Sequence, residues 1–171
     1  MKRIAAAGVA FALALSACGS SGSDFVVQVG DRSVDVETFN AAFVAREGPD
    51  FEFDGTLSED HATLWAEFVV NGLAVQQSLD EVGMNTDAAR EVTTGMLDRA
   101  IEAGRMAELD RDSEEFQLIV DVLSPAQLIL TDEQRIAVDE SFWEIFAEAE
   151  VADWVGTLDT STGEITPPSA S

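Results

Sequence analysis

The chain lacks most of the side chains from which enzymes build nucleophiles and metal sites. Its 171 residues include no tyrosine, one cysteine and one histidine, and the only lysine is Lys2. One cysteine cannot form a disulfide within the chain, and one histidine with one cysteine does not provide the ligands of a zinc site. With one histidine, one cysteine and one lysine, the chain also has few of the residues that form catalytic triads, Cys–His pairs and Schiff bases. The composition therefore argues against the common forms of covalent and zinc-dependent catalysis.

Positive charge is also scarce. Nine basic residues are opposed by 33 acidic ones, which gives a formal net charge of −24. Phosphate binding needs clustered Lys and Arg, so nucleic acid is not expected as a partner. Anionic lipid headgroups would also repel the domain, so a basic membrane-binding patch is not expected either. The charge favours solubility and opposes self-association.

The N-terminal segment has the pattern of a secretory signal. Lys2 and Arg3 precede an apolar stretch from Ile4 to Leu15, and small residues follow before Cys18. The apolar stretch is well short of the ~20 residues that span a bilayer as a helix. Residues 1–17 are therefore predicted to be a signal peptide rather than a transmembrane helix.

The sequence Leu15-Ser16-Ala17-Cys18 resembles the lipobox of bacterial lipoproteins. The resemblance implies that the thiol of Cys18 receives a diacylglyceryl group and that cleavage before Cys18 makes it the N-terminus. Residues 18–24 then form the lipidated cysteine and a flexible Gly/Ser tether. An ordinary signal peptide that happens to contain a cysteine is the alternative. The expected location is the extracytoplasmic face of the cell membrane, with lipid as the anchor.

Residues 25–168 predict one mainly α domain with a small N-terminal β-hairpin and a C-terminal β-segment. Two β-favouring runs flank Gly30-Asp31, which indicates a hairpin with a type II′ turn. The spacing of apolar residues then changes from that of a strand to that of a helix, and Val36, Phe39 and Phe43 fit a short helix that ends near Gly48.

Four further helices are marked by polar N-terminal residues. Ser58 begins a long helix that ends at Gly83, and further helices begin near Thr86 and Ser113. Thr131 begins the last helix with a capping box. The apolar residues expected on the buried faces are Leu64, Phe68, Val75, Leu79 and Val82; Val92, Met96, Leu97 and Ile101; Phe116, Ile119, Val120 and Leu123; and Ile136, Val138, Phe142, Trp143, Ile145 and Phe146.

The C-terminal residues predict a strand over Val151–Leu158, then a turn at Asp159–Gly163 and an extended end. Short β-elements at opposite ends of a helical chain leave unpaired edges unless they meet. We therefore expect the N-terminal hairpin and the C-terminal strand to lie together. The side chains expected to meet are Trp154 and Val155 with Val27 and Val29.

No residue pattern locates a catalytic or metal site. His61 lies among acids at the start of the long helix, where a surface role is expected. Carboxylates are so numerous that an enzyme with a converging pair of them stays open as a third possibility. The segment Asp50-Phe-Glu-Phe-Asp-Gly55 has the first acidic ligands of a calcium loop, but His61 stands where the bidentate glutamate belongs. No cofactor and no metal site are predicted.

Phe51 and Phe53 lie in that acidic loop, outside any helical period, whereas most other aromatic residues have core spacing. These two phenylalanines are therefore the candidate client-binding residues. The other functional residue predicted from the sequence is the lipidation site, Cys18.

Two stretches carry a further resemblance. Residues 27–39, with their valine-rich strands, tight turn and Glu37 before Phe39, resemble the start of the SurA N-terminal-domain family of exported foldases. The long helix that ends at Gly83 resembles the next element of that family. The C-terminal stretch 154–168 is similar to the end of its lipoprotein members, although Leu158 stands where they have tryptophan.

The resemblance implies a helical domain that binds unfolded or exported polypeptides without catalysis. The full-length foldases also carry a parvulin-type isomerase domain, for which this chain has no room. Residues 126–130 echo the start of such a domain, but Leu128 replaces its histidine. A structural lipoprotein that docks to a protein complex of the cell envelope is the alternative. A concave apolar groove favours unfolded clients, and one flat apolar patch favours a fixed partner.

We predict that Cys18→Ser moves the protein from the membrane fraction to the soluble fraction, because serine has no thiol to accept the lipid. Cell fractionation and detergent partitioning measure the change, with Ser20→Ala as the matched control. Unchanged detergent partitioning of Cys18→Ser would contradict lipidation at this residue.

Overall fold

A computed structural model describes residues 25–55 and 57–168, and within these ranges the chain forms five α-helices and two small antiparallel sheets. The prediction of a mainly α domain with small β-elements near both ends is confirmed. The signal segment and Cys18 lie outside the described residues. No helix in the described ranges is long and apolar enough to cross a membrane. In chain order the elements are β1 (Val27–Val29), β2 (Arg32–Val34), α1 (Val36–Glu47), α2 (Glu59–Glu81), α3 (Asp87–Glu102), α4 (Glu114–Leu123), a 3₁₀ turn (Ser124–Gln127), α5 (Asp132–Phe146), β3 (Glu150–Val151), β4 (Thr157–Leu158) and β5 (Ile165–Thr166).

The N-terminal hairpin forms as predicted. Val27 pairs with Val34 and Val29 with Arg32, which leaves a two-residue turn. Gly30 has a φ of +52° whereas φ of Asp31 is not positive, as a type II′ turn requires. A Cβ on Gly30 would also collide with the side-chain amide of Gln77. The turn therefore needs glycine for its backbone, and any other residue would also displace the Gln77 amide.

The two ends of the domain meet in one sheet, as expected. β3 pairs with β1 through Val27 and Val151, and the sheet order is β2-β1-β3. The prediction of one C-terminal strand over Val151–Leu158 was wrong, because the chain turns after Ala152 and β4 pairs with β5 in a separate sheet. Val155 is fully buried in the same core as β1, while Trp154 is 45% exposed.

The predicted turn between β4 and β5 is present. The N–H of Gly163 donates to the carbonyl oxygen of Asp159 at 2.8 Å. The carboxylate of Asp159 accepts from the hydroxyl of Ser161 at 2.6 Å and from its N–H at 2.9 Å. These hydrogen bonds, led by that of the Ser161 hydroxyl, lower the pKa of Asp159 from its ordinary value.

Helix α2 is the centre of the packing. It contacts α4, α5, β1, β5 and the 3₁₀ turn, and Trp65, Val69 and Val70 on it are almost fully buried. Where α2 crosses α4, a Cβ on Gly72 would lie 2.5 Å from Cγ1 and 2.9 Å from Cα of Val122. Only a residue without a side chain permits this approach of the two helices.

The helix starts were predicted correctly, but the buried faces were wrong in part. Ser58, Ser113 and Thr131 each cap a helix with the side-chain oxygen, and Thr131 forms the full capping box. On α2 the buried face is centred on Trp65, so Leu64 points about 100° away from it. The residues assigned to the core that are instead exposed are Leu64 (66%), Val92 (50%), Met96 (47%), Ile136 (60%) and Trp143 (42%).

One buried carboxylate connects three elements. Asp121 on α4 is 3% exposed and forms salt bridges with Arg32 of β2 at 2.5 Å and with Arg90 of α3. Arg90 also donates to the side-chain oxygen of Gln117 at 2.9 Å. A buried charge is tolerated only when it is paired in this way. Asp121 therefore holds the hairpin and α3 against α4.

We predict that Gly72→Ala lowers the free energy of unfolding by about 1–3 kcal/mol, because the added methyl group overpacks the α2–α4 crossing. Gly95→Ala is the matched control, since a Cβ at this helical glycine meets only the Arg99 guanidinium, at 3.5 Å. That variant should raise stability by about 0.5–1 kcal/mol through helix propensity. Denaturant unfolding measures both, and equal effects at the two positions would contradict the close crossing.

Candidate functional site

Seven aromatic rings form one continuous group, here called the aromatic cluster. Ring centroids lie 6.5 Å apart for Trp154 and Phe39, 6.2 Å for Phe39 and Trp65, and 5.9 Å for Trp65 and Phe43. The indole N–H of Trp65 donates to the carbonyl oxygen of Phe39 at 3.0 Å, which fixes the ring between the two helices. The members are Phe39, Phe43, Phe51, His61, Trp65, Phe68 and Trp154.

Helical spacing explains how the cluster forms. Phe39 and Phe43 are four residues apart on α1, so they share one face of it. His61, Trp65 and Phe68 share one face of α2 in the same way. The hydroxyl of Ser58 accepts from the N–H of His61 at 3.4 Å, so the cap sets where this face of α2 begins.

Part of the cluster reaches the surface, where Leu64 follows His61 on the same helix face and Phe53 follows Phe51 by two residues in the loop. Leu64 lies three residues after His61 and four before Phe68, and it is 66% exposed. Phe53 is 38% exposed, and Phe51 and Phe68 are half-buried. These residues (Phe51, Phe53, His61, Leu64 and Phe68) are called the aromatic patch.

The surroundings of the patch are acidic, with one cation on it. The guanidinium of Arg46 lies 5.3 Å from the ring of Trp65 and 5.0 Å from that of Phe68, a cation–π geometry. The patch can therefore make apolar contacts inside a negative rim. The exposed acids of the adjoining α1, loop and α2 residues are Glu47, Asp50, Glu52, Asp54, Glu59 and Asp60.

The residues predicted from the sequence occupy different positions in this site. The ring centroid of Phe51 lies 5.5 Å from that of Phe43 and 6.0 Å from that of His61. Phe51 therefore packs the loop against the cluster. Phe53 is exposed, and Cys18 lies outside the described residues. Sequence reasoning missed Leu64, because its helical spacing is the same as that of core residues.

The acidic loop has calcium-like spacing over residues 50–55, with His61 at the last position of that spacing. Among the described residues, no group of three or more His, Cys, Asp or Glu side chains could hold a metal ion. The ring of His61, which takes the last position of the calcium-like loop, lies 5.5 Å from Phe43. This histidine therefore belongs to the aromatic cluster.

A cleft of about 320 Å³ lies away from the patch, between β2 and the starts of α1 and α4. Asp35 in this cleft caps α1 by accepting from the N–H of Thr38 at 2.8 Å, and Glu114 accepts from the Thr38 hydroxyl at 3.5 Å. Asp35, Asp112 and Glu114 are all exposed, whereas catalytic carboxylates are usually tuned by burial. These two hydrogen bonds to Thr38 cap α1 and connect its start to that of α4, which gives Asp35 and Glu114 structural roles.

Comparison of the chain with protein-family models, with curated proteins and with solved structures finds no match. The resemblance to the SurA N-terminal-domain family stays a prediction.

We predict that Phe51→Ala lowers the free energy of unfolding by about 1–2 kcal/mol, because it removes a half-buried ring from the aromatic cluster. Phe53→Ala should change it by no more than about 0.5 kcal/mol, because that ring is on the surface. Denaturant unfolding measures stability, and limited proteolysis shows whether Phe51→Ala makes residues 48–57 easier to cleave. Equal effects of the two variants would contradict the anchoring role of Phe51.

Proposed function

We propose that this protein is a lipid-anchored extracytoplasmic binding protein that holds unfolded or exported polypeptides on its aromatic patch, without catalysis. The observation that carries the proposal is the exposure of Leu64, on the same face of α2 as His61 and Phe68, together with the exposure of Phe53 in the loop that Phe51 packs against the aromatic cluster. Large apolar side chains that share a surface are typical of interaction sites.

The strength of such contacts suits reversible holding. Covering an exposed Leu or Phe side chain contributes about 1–2 kcal/mol, and part of this is offset by ordering the client. Aromatic and aliphatic side chains make these contacts without a fixed hydrogen-bond pattern, so clients of different sequence can bind. The acidic rim weakens the binding of acidic clients.

A second candidate function is a structural lipoprotein that docks to a complex of the cell envelope. It is favoured by one observation, which is that neither the 320 Å³ cleft nor the second cleft of about 210 Å³ in the described residues includes a residue of the aromatic patch. An apolar patch that lies outside a groove is the kind of surface expected for one fixed partner.

We predict that the soluble domain, residues 24–171, slows the aggregation of an unfolded client and has no prolyl isomerase activity. The double variant Phe53→Gln, Leu64→Gln should need about 30-fold more protein for the same effect, since two apolar contacts of about 1 kcal/mol each are lost. Light scattering of a diluted, chemically unfolded client measures holding. Ile129→Gln is the matched control, because Ile129 is an exposed apolar residue outside the patch.

Higher salt should preserve or strengthen holding of acidic clients, because it screens their repulsion by the acidic rim. No holding at several-fold molar excess over the client would contradict the proposal and favour the envelope-docking lipoprotein. Equal loss in the double variant and in Ile129→Gln would contradict the patch as the binding surface.

A further inference from the structure

Helix α5 exposes two large apolar side chains on its outward face. Ile136 is 60% exposed and Trp143 is 42% exposed, and the two are seven residues apart, so they lie on one stripe of the helix. The ring of Trp143 is packed edge-on against Phe142 at 5.0 Å and against Phe146 at 6.1 Å. Trp143 is therefore an apolar anchor that is already held in place on one side.

The same face of α5 carries almost only negative charge. Arg135 is the one basic residue of the helix, and it pairs with Asp132 at 2.6 Å. Glu140 lies between Ile136 and Trp143 on the helix surface. The exposed acids of α5 and the residues just after it are Asp132, Glu133, Asp139, Glu140, Glu144, Glu148 and Glu150.

A cleft of about 210 Å³ adjoins this face, between α5, the end of α2 and the hairpin turn. Its lining includes the carboxylates of Glu81, Glu144 and Glu148, and none of the described residues that line it is basic. The side-chain oxygen of Gln77, which also lines it, is buried and accepts no hydrogen bond from the described residues. The cleft therefore presents hydrogen-bond acceptors and no positive charge of its own.

We propose that the outward face of α5 and this cleft dock a basic amphipathic segment of a partner polypeptide. Apolar side chains of that segment cover Ile136 and Trp143, and one of its arginine side chains enters the cleft. This surface is separate from the aromatic patch, so the proposal does not depend on client holding there.

Charge complementarity selects this occupant over the other possibilities. A second copy of the chain would place the same acids opposite one another, and an anionic bilayer would also be repelled. A guanidinium has five N–H donors in one plane, so it can bond carboxylates of two helices together. Such charge-assisted hydrogen bonds are stronger than hydrogen bonds between neutral groups.

The test uses the full chain in nonionic detergent and a helical peptide of about four turns with arginine and leucine at helical spacing. Isothermal titration measures Kd for this peptide and for the same peptide with glutamate in place of arginine. The first should bind and the second should not. Glu144→Gln with Glu148→Gln should raise Kd about tenfold, because two charge-assisted bonds are lost.

The matched control is Glu108→Gln with Glu164→Gln, which changes the net charge equally at exposed positions outside α5 and the cleft. It should raise Kd by about twofold or less. Equal effects of the two pairs would overturn the proposal, because binding would then depend on net charge alone. Loss of binding in Phe53→Gln, Leu64→Gln but not in the cleft pair would also overturn it. Client holding is measured separately, so either proposal can fail while the other stands.

Discussion

The structure depends on the close crossing of α2 and α4 at Gly72 and Val122. With no side chain at position 72, the two helices approach until their backbones nearly touch, and α4 takes a fixed place on the central helix. Asp121 is the residue before Val122, so the same crossing sets where the buried carboxylate lies. Arg32 and Arg90 then reach it from the hairpin and from α3. The position of three other elements therefore follows from one glycine in the middle of α2.

The acidic residues of the described ranges lie almost entirely on the surface of the domain. Among the buried residues of the described ranges, Asp121 is the one that carries a charge. It engages two of the few arginines, and Arg46 lies on aromatic rings. Little positive charge is left to neutralise the exposed acids. This surface therefore attracts basic groups, and it can bind apolar groups where apolar side chains are exposed. The aromatic patch and the outward face of α5 both present apolar side chains within such a negative field.

Local signals in the sequence predicted where elements begin, and tertiary contacts decided the rest. Ser58, Ser113 and Thr131 mark helix starts because a cap bonds backbone amides within the next turn. The burial of a helix face depends on its neighbours, so Leu64 and Ile136 were assigned to the core although their spacing alone fits either side. The C-terminal strand was predicted too long because nothing in its β-favouring residues shows that the chain turns after Ala152. Phe51 and Phe53 could be selected from the sequence because their loop has no helical spacing of apolar residues. The exposure of Leu64 could not be predicted, because it depends on which face of α2 packs against the other elements.

The position of β1 between β2 and β3 has a consequence for the order of folding. β2 follows β1 after a two-residue turn, but β3 comes from the far end of the domain. Joining β1 to β3 closes a loop that contains all five α-helices of the described residues. The entropy of closing this loop is lost before the contacts that it allows can form. A chain that emerges from its N-terminus first can form the hairpin and the helices early, while one edge of β1 has no partner. We therefore expect the domain to complete its sheet last, when residues 150–151 arrive to cover that edge.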